Sequence, residues 1–307
     1  MNYTLHQLQV FLKISETQSI TKAAEQLHLT QPAVSIQLKN FQAQFDVPLT
    51  EIVGRKLYIT AFGKEMAVAA EKILNEAYNI NYRTLSYKGF LAGSLKISIV
   101  STGKYVMPYF LASFLNKHNG IELFMDVTNK ARVIESLENN EVDFSLVSVL
   151  PAQIQIEKIE LMQNKLFLVG NTSRKFGKKI YDKSIFEELP LIYREEGSGT
   201  RYVMEKFIER NRLPVKKKME LATNEAVKQA VIAGLGFSIM PLIGIKNELN
   251  SGRLQIIPVK GFPVKSVWSL VWLKGKRFSP AAEAYLKYLR HEKHQIIASQ
   301  FKWYEDY

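Results

Sequence analysis

Three short stretches carry the side chains best suited to hold a small anion: Ser101-Thr102, Gly197-Ser198-Gly199-Thr200-Arg201 and Thr223-Asn224-Glu225. Each stands where a strand-like run gives way to a helical one. Hydroxyls, free backbone N–H groups and the positive end of a helix are therefore expected together. Arg201 adds a planar fork that matches a carboxylate or phosphate with two hydrogen bonds. Thr128-Asn129 and Ser148 end neighbouring strand-like runs and could face the same cleft. Any one of these residues could simply cap its own helix. Several polar strand ends converging on one cleft favour a site, and the expected set is Ser101, Thr102, Thr128, Ser148, Ser198, Thr200, Arg201 and Asn224.

A second group lies near the N-terminus. Thr30-Gln31-Pro32-Ala33-Val34-Ser35 reads as the start of a helix, with Thr30 as cap and Pro32 in the first turn, where its missing N–H costs nothing. Val34, Leu38 and Phe41 supply a buried stripe; Gln31, Ser35, Gln37, Lys39 and Gln42 lie on the free face. Glutamine and serine can hydrogen-bond base edges in the DNA major groove, and a lysine can reach phosphate. Pro48 to Thr60 alternates around a Gly-led basic turn and reads as a hairpin, or wing, with Arg55 and Lys56 at its tip. A wing beside a recognition helix grips the backbone or reaches the minor groove. The expected DNA-binding residues are Gln31, Pro32, Ser35, Gln37, Lys39, Arg55 and Lys56. The helix pattern by itself favours a small bundle with a polar outer face.

Catalytic patterns find little support. There is no cysteine, which excludes disulfides, thiolate metal sites and cysteine nucleophiles. Gly197-Ser198-Gly199 is not the Gly-x-Ser-x-Gly elbow, and the five histidines are scattered. No Gly-x-x-x-x-Gly-Lys-[Ser/Thr] loop occurs. His291-Glu292-Lys293-His294 offers only two imidazoles and reads as a solvated cationic helix end. The expectation is a protein that is not an enzyme, with no metal and no cofactor.

Around these groups, 307 residues suggest two domains. There are 41 Lys+Arg against 29 Asp+Glu, a net +12 that favours polyanionic partners. Residues 1–90 hold 9 Lys+Arg against 7 Asp+Glu, so most of the excess lies on residues 91–307. No signal peptide is evident at Met1–Gln7, and Gln229–Ile245, the longest uncharged run, is broken by Gly234, Gly236, Pro241 and Gly244. A cytoplasmic, soluble protein with no membrane partner is expected.

The elements that must position the sites follow from periodicity. Leu5, Leu8, Phe11 and Leu12 mark a first helix, and Ser19 caps a second with the small residues Ala23 and Ala24. The stripe Phe62, Met66, Ala69, Ile73, Ala77, Ile80 and Thr84 is the seam of a long helix that pairs with another copy. Beyond Gly89 and Gly93, strands at 95–100, 121–127 and 144–149 alternate with helices, implying a parallel sheet. Further strands fall at 166–169, 191–193, 219–222, 237–240 and 267–273, with a last helix at 280–290. The chain crosses between two α/β subdomains near 160–165 and returns near 262–267. Lys216-Lys217-Lys218 reads as a solvated edge before the strand at Met219.

The order of these pieces resembles the LysR-type transcriptional regulators. Ala23, Ala24, Leu27, Gln31, Pro32, Ala33, Ser35, Leu38, Arg55, Thr60 and Gly63 stand at the matching positions. Thr50 replaces the usual aromatic after the wing's leucine, and Ile36 a position often basic in the family. Val100-Ser101-Thr102, Arg194-Glu195-Glu196-Gly197-Ser198-Gly199-Thr200-Arg201 and Asn224 to Gly236 look like the branch containing the Calvin-cycle regulators. The resemblance runs from about Leu5 to Arg290.

It implies a mixed fold: an N-terminal all-α winged helix-turn-helix (1–62), a linker and dimerisation helix (63–90) and an effector-binding domain (91–307). In the last, subdomain I spans about 91–162 and 266–307 and subdomain II about 163–265, of the periplasmic-binding-protein type. The implied function is sequence-specific transcriptional regulation, switched by a small anionic coinducer: a phosphorylated metabolite, a carboxylate or an inorganic oxyanion. The implied partners are double-stranded DNA, further copies of the chain as dimer and tetramer, and RNA polymerase. The alternative is a cytoplasmic small-anion-binding protein or enzyme of solute-binding fold, with a helical N-terminus unrelated to DNA.

Overall fold

The computed structural model describes residues 2–54, 56–87, 90–177 and 179–307, with backbone alone at 78–79 and 81–87. The chain divides into two compact units, Met1–Phe90 and Leu91–Tyr307.

In the first unit, α1 (Leu5–Thr17) starts from a reciprocal cap. The Thr4 hydroxyl accepts from the Gln7 N–H, and the Gln7 side chain accepts from the Thr4 N–H. Both groups would otherwise lack a partner in the helix. Ser19 caps α2 (Ile20–Leu27) and Thr30 caps α3 (Gln31–Gln42). Leu8, Phe11 and Ile14 meet Ala23, Ala24, Val34, Leu38 and Phe41 in one buried core, where the two alanines let the helices approach closely. Strands β1 (Thr50–Val53) and β2 (Lys56–Ile59) form the wing, with Val53 opposite Lys56 and Gly54 at φ 65°. Arg55 lies outside the described residues.

The wing is tied at its root to α3 and to α4 (Ala61–Tyr87). Leu49 N–H donates to the Gln42 side chain at 2.6 Å, and the Thr60 hydroxyl donates to the Pro48 carbonyl at 2.6 Å. That hydroxyl also accepts from the Gly63 N–H at 2.9 Å. Gln42, expected on the free polar face, is therefore a tether. A Cβ on Gly63 would stand 2.0 Å from the Leu49 carbonyl oxygen, so only glycine lets α4 lie against this backbone. The seam expected along α4 divides. Phe62 and Met66 pack against the unit's own core beside buried Ala70 and Leu74, whereas Ile73 and Ile80 are 42% and 62% exposed. The Thr84 side chain lies outside the described residues.

The second unit runs β3 (Ala92–Val100), α5 (Met107–Lys117), β4 (Gly120–Thr128), α6 (Lys130–Glu138), β5 (Phe144–Val147) and β6 (Ile156–Asn171). It continues through β7 (Pro190–Arg194), α7 (Gly199–Asn211), β8 (Lys216–Leu221), α8 (Asn224–Ile232) and β9 (Ser238–Pro241). It ends with α9 (Lys246–Asn250), β10 (Leu254–Ile256), β11 (Val264–Leu273) and α10 (Pro280–Gln300). β3, β4 and β5 are parallel neighbours, as are β7 and β8 in a separate pair. The main sheet is mixed rather than purely parallel. β6 and β11 run antiparallel along Ile156–Leu166 and Val264–Leu273, while the far end of β6 pairs with β9 and β10. The Asn164 amide of β6 donates to the Ser266 hydroxyl of β11 at 3.1 Å.

Two further expectations are corrected. Lys216 and Lys217 pair with Pro190 and Leu191 inside β8, so the lysine run is part of the strand. Charge on such an edge discourages pairing with another chain. α10 runs on to Gln300, so His291 and His294 stand within a helix and not near its end. Ile296 and Phe301 are buried in the core, and that burial is what extends the helix.

A Gly63→Ala variant is expected to lose about 1–3 kcal/mol through forced backbone movement. Urea unfolding of the first unit checks this, and an unchanged midpoint would refute the packing at the wing's root.

Candidate functional site

The outer face of α3 displays Gln31, Pro32 and Lys39 to solvent, with Ser35 and Gln37 partly buried beside them. Lys56 is exposed at the first position of β2. Ile36 is 56% exposed on the same helix, and Ile52 and Val53 are 73% and 61% exposed on the wing. A polar helix face with a neighbouring wing is thus assembled within one unit, and five of the seven expected DNA-binding residues lie on that helix.

In the second unit, the parallel strand-to-helix order brings several strand ends to one small cleft, part of it open to solvent. β3 supplies Val100, and the turn after it Ser101 and Thr102; the cap and first residue of α6 supply Asn129 and Lys130; Ser148 follows β5. β7 supplies Arg194, and the start of α7 Ser198, Gly199 and Thr200. Asn129 caps α6 by accepting from Arg132 N–H at 3.0 Å, and Ser198 caps α7 by accepting from Arg201 N–H at 3.4 Å. Two helix N-termini therefore face the same space, and their free N–H groups and dipoles favour negative charge.

Of the expected set, the structure brings together Ser101, Thr102, Ser148, Ser198 and Thr200. Thr128 and Asn224 do not line this cleft. Thr128 closes β4 one residue before Asn129, and Asn224 is buried at the start of α8. Arg201 is also absent from it, because its fork is engaged elsewhere. Nε donates to Glu205 at 2.6 Å, and Nη1 donates to Glu220 at 2.9 Å and to the Arg194 carbonyl at 3.2 Å. These carboxylates hold the Arg201 guanidinium pKa above its usual value, the Glu205 hydrogen bond contributing most.

Arg194 takes the position expected of Arg201. It is 4% exposed. Nε and Nη2 clamp the Glu195 carboxylate at 2.7 and 2.8 Å, and Nη2 also donates to the Ser101 hydroxyl at 3.3 Å. Nη1 is buried with no hydrogen-bond partner. A buried unsatisfied donor on a charged group is costly. The available signal is position, since Arg194 is the last residue of a strand aimed at the glycine-rich loop, whereas Arg201 carries a glutamate four residues on.

Lys130 is the second residue not foreseen. Its ammonium lies 4.5 Å from the centroid of the Tyr202 ring on α7. Burial holds its pKa below the ordinary lysine value. An adjoining open hollow is lined by Lys130, Glu196, Arg201, Tyr202 and Glu205. Among the described residues, no group of three or more His, Cys, Asp or Glu could hold a metal, and no helix is long and apolar enough to cross a membrane.

Comparison with known proteins agrees along the whole chain. Residues 5–64 match the family described as bacterial regulatory helix-turn-helix protein, lysR family, and residues 88–293 match the LysR substrate binding domain. The HTH-type transcriptional activator CmpR of Synechocystis sp. is 37% identical over 303 residues, covering 98% of this chain and 99% of that protein. The RuBisCO operon transcriptional regulator of Allochromatium vinosum is 36% identical over 293 residues, covering 95% and 97%. Among solved structures, the Synechocystis PCC6803 CcmR regulatory domain in complex with 2-PG is 31% identical with a TM-score of 0.62, covering 64% of this chain and 95% of that one. Full-length CbnR, solved with its target DNA, shares the fold at 21% identity and a TM-score of 0.71, covering 94% and 99%.

Replacing Arg201 tests its structural assignment. Lys217 and then Arg201 hold the Glu220 carboxyl below its usual pKa. A depressed carboxylate contributes stability above its unfolded pKa and loses it as pH falls through the lower, folded one. Arg201→Gln is therefore expected to be less stable than the parent at neutral pH. The two melting curves should converge as pH falls below the ordinary glutamate range. A gap independent of pH would contradict this.

Proposed function

Because this chain belongs to the LysR family of bacterial transcriptional regulators, in the branch of the CmpR, CbbR and RuBisCO operon regulators, we propose a residue-level division of its work. Residues 1–62 read DNA, 63–90 pair two copies, and 91–307 bind the effector between a subdomain of about 91–162 with 266–307 and one of about 163–265. The chain is a DNA-binding regulator with an effector-binding domain.

On DNA, Gln31, Ser35 and Gln37 read base edges from α3, with Pro32 fixing its first turn. Lys39 and Lys56 bind phosphate. The polar free face of a capped helix beside a wing supports this reading. Pairing along α4 is supported by Ile73 and Ile80, which the unit's own core leaves exposed. Two such readers on one two-fold axis match two half-sites. Two dimers together, and a contact with RNA polymerase altered by DNA bending, extend the same reading.

The effector is a small anion bearing phosphate or carboxylate. The observation that carries this is the buried, unpartnered Nη1 of Arg194 at the meeting point of two helix N-termini. Thr102, Ser101, Ser148, Ser198 and Thr200 supply hydroxyls around it. The 2-PG complex of the CcmR regulatory domain supports the ligand class. Arg194 lies on one side of the crossing strands and Ser101 on the other, so an anion gripping both draws the subdomains together.

Gel-shift titration on the DNA upstream of the chain's own gene, at two salt concentrations, tests the DNA reading. Lys39→Ala and Lys56→Ala should each reduce the salt slope by about 1. Binding indifferent to both sequence and salt would sink it. Ile73→Asp should convert dimer to monomer in analytical ultracentrifugation. Persistence of the parent's mass would exclude this face of α4. Arg194→Ala should abolish the thermal stabilisation given by 2-PG or inorganic phosphate while DNA binding persists.

A further inference from the structure

The cations around the cleft differ in what already holds them. Arg194 is compensated by Glu195 through two hydrogen bonds, and Arg201 by Glu205 and Glu220. Lys130 has no carboxylate within ion-pair distance among the described residues. Its ammonium rests instead on the face of Tyr202. A ring face is a weaker partner than an anion for a cation.

Position adds to this. Lys130 is the first residue of α6, the end of a helix where the dipole disfavours a positive charge. It borders the cleft and the adjoining hollow alike. It also belongs to the segment before the crossing, whereas Tyr202 belongs to the segment after it. The contact therefore bridges the two subdomains at the cleft's rim.

We infer that Lys130 is the exchangeable charge of the cleft, leaving Tyr202 for the effector and thereby selecting a doubly charged, phosphate-type anion over a singly charged carboxylate. One negative charge is met by Arg194 Nη1, the hydroxyls and the helix N–H groups. The Arg194–Glu195 pair is close to neutral as a unit, so among the described residues lining the cleft a second negative charge has only Lys130 to meet it. Transfer of the ammonium from ring to anion removes a contact at the rim and makes one inside, coupling occupancy to the approach of the subdomains. Tyr202 competes with the ligand in this scheme and does not contact it.

This inference rests on the cleft being the anion site, and the experiment separates the two. The full chain is titrated calorimetrically with inorganic phosphate at pH 8, with 2-PG and with acetate. The variants are Lys130→Gln, Lys130→Arg, Tyr202→Leu and Arg194→Ala, each first confirmed to melt as the parent does. Lys130→Gln should weaken phosphate and 2-PG at least tenfold and leave acetate within twofold, and Lys130→Arg should restore most of the loss. Tyr202→Leu should tighten both phosphate ligands about threefold or more, a gain that a purely structural role for the ring would not give. Weaker binding in Tyr202→Leu, or an unchanged preference for phosphate over acetate in Lys130→Gln, overturns the inference while the site stands. If the parent binds neither phosphate ligand, or Arg194→Ala binds them as the parent does, the cleft reading fails and the inference with it.

Discussion

A buried guanidinium has five N–H groups to place, and Arg194 places only part of them. Two grip Glu195 and one reaches Ser101, leaving Nη1 buried without a partner in a residue that lines the cleft. The position is dictated by the sheet. β7 is parallel to β8, so its C-terminal end meets the start of α7, and the parallel β3 and β4 send the turn after β3 and the start of α6 to the same side. Strand ends and helix starts must converge wherever strand and helix alternate in this way. The donors therefore arrive before any ligand does, and no helix in this arrangement can turn its negative end to the cleft.

The first unit rests on a comparable constraint at smaller scale. A two-stranded wing has almost no core of its own and must be fastened at its root. Gln42 from α3, Thr60 and the missing Cβ of Gly63 do this, bringing the Leu49 backbone into contact with the first turn of α4. One face of α4 is thereby committed to α1 and the wing. Among the described residues, Val68, Ile73 and Ile80 stay exposed on it. The same helix cannot bury the whole expected stripe in its own unit, and the division between inward Leu74 and outward Ile73 follows from that geometry.

Much of this is legible from residue types. The caps Ser19, Thr30 and Ser198 and the glycine-rich loop can be located without coordinates, because local hydrogen-bonding and hydrophobic period determine them. What is not legible is long-range. A fork beside a glycine loop suits an anion, which points to Arg201. Its fork is held by Glu205 on its own helix and also by Glu220 on β8, which sequence does not place beside it. Arg194 is easily missed, because adjacent Glu195 and Glu196 make the stretch look acidic. Lys216–Lys218 looks too polar for a strand, yet a two-stranded edge needs no second buried face. The last helix outruns its apolar pattern, which thins after Leu289, because Ile296 and Phe301 continue the core.

Charge works here at two ranges. The excess on residues 91–307 lies largely on exposed side chains such as those of β8, where salt screens it within about 10 Å at 0.1 M. Such a field raises the local concentration of any anion and distinguishes none. Selection needs groups that are desolvated and fixed, and the cleft has Arg194 held by Glu195 and Lys130 held only by a ring. For an effector to switch DNA binding, it must bind two arrangements of the protein with different affinity. A cation whose partner differs between them supplies the difference, and its size is set by how much better an anion holds an ammonium than a tyrosine ring does.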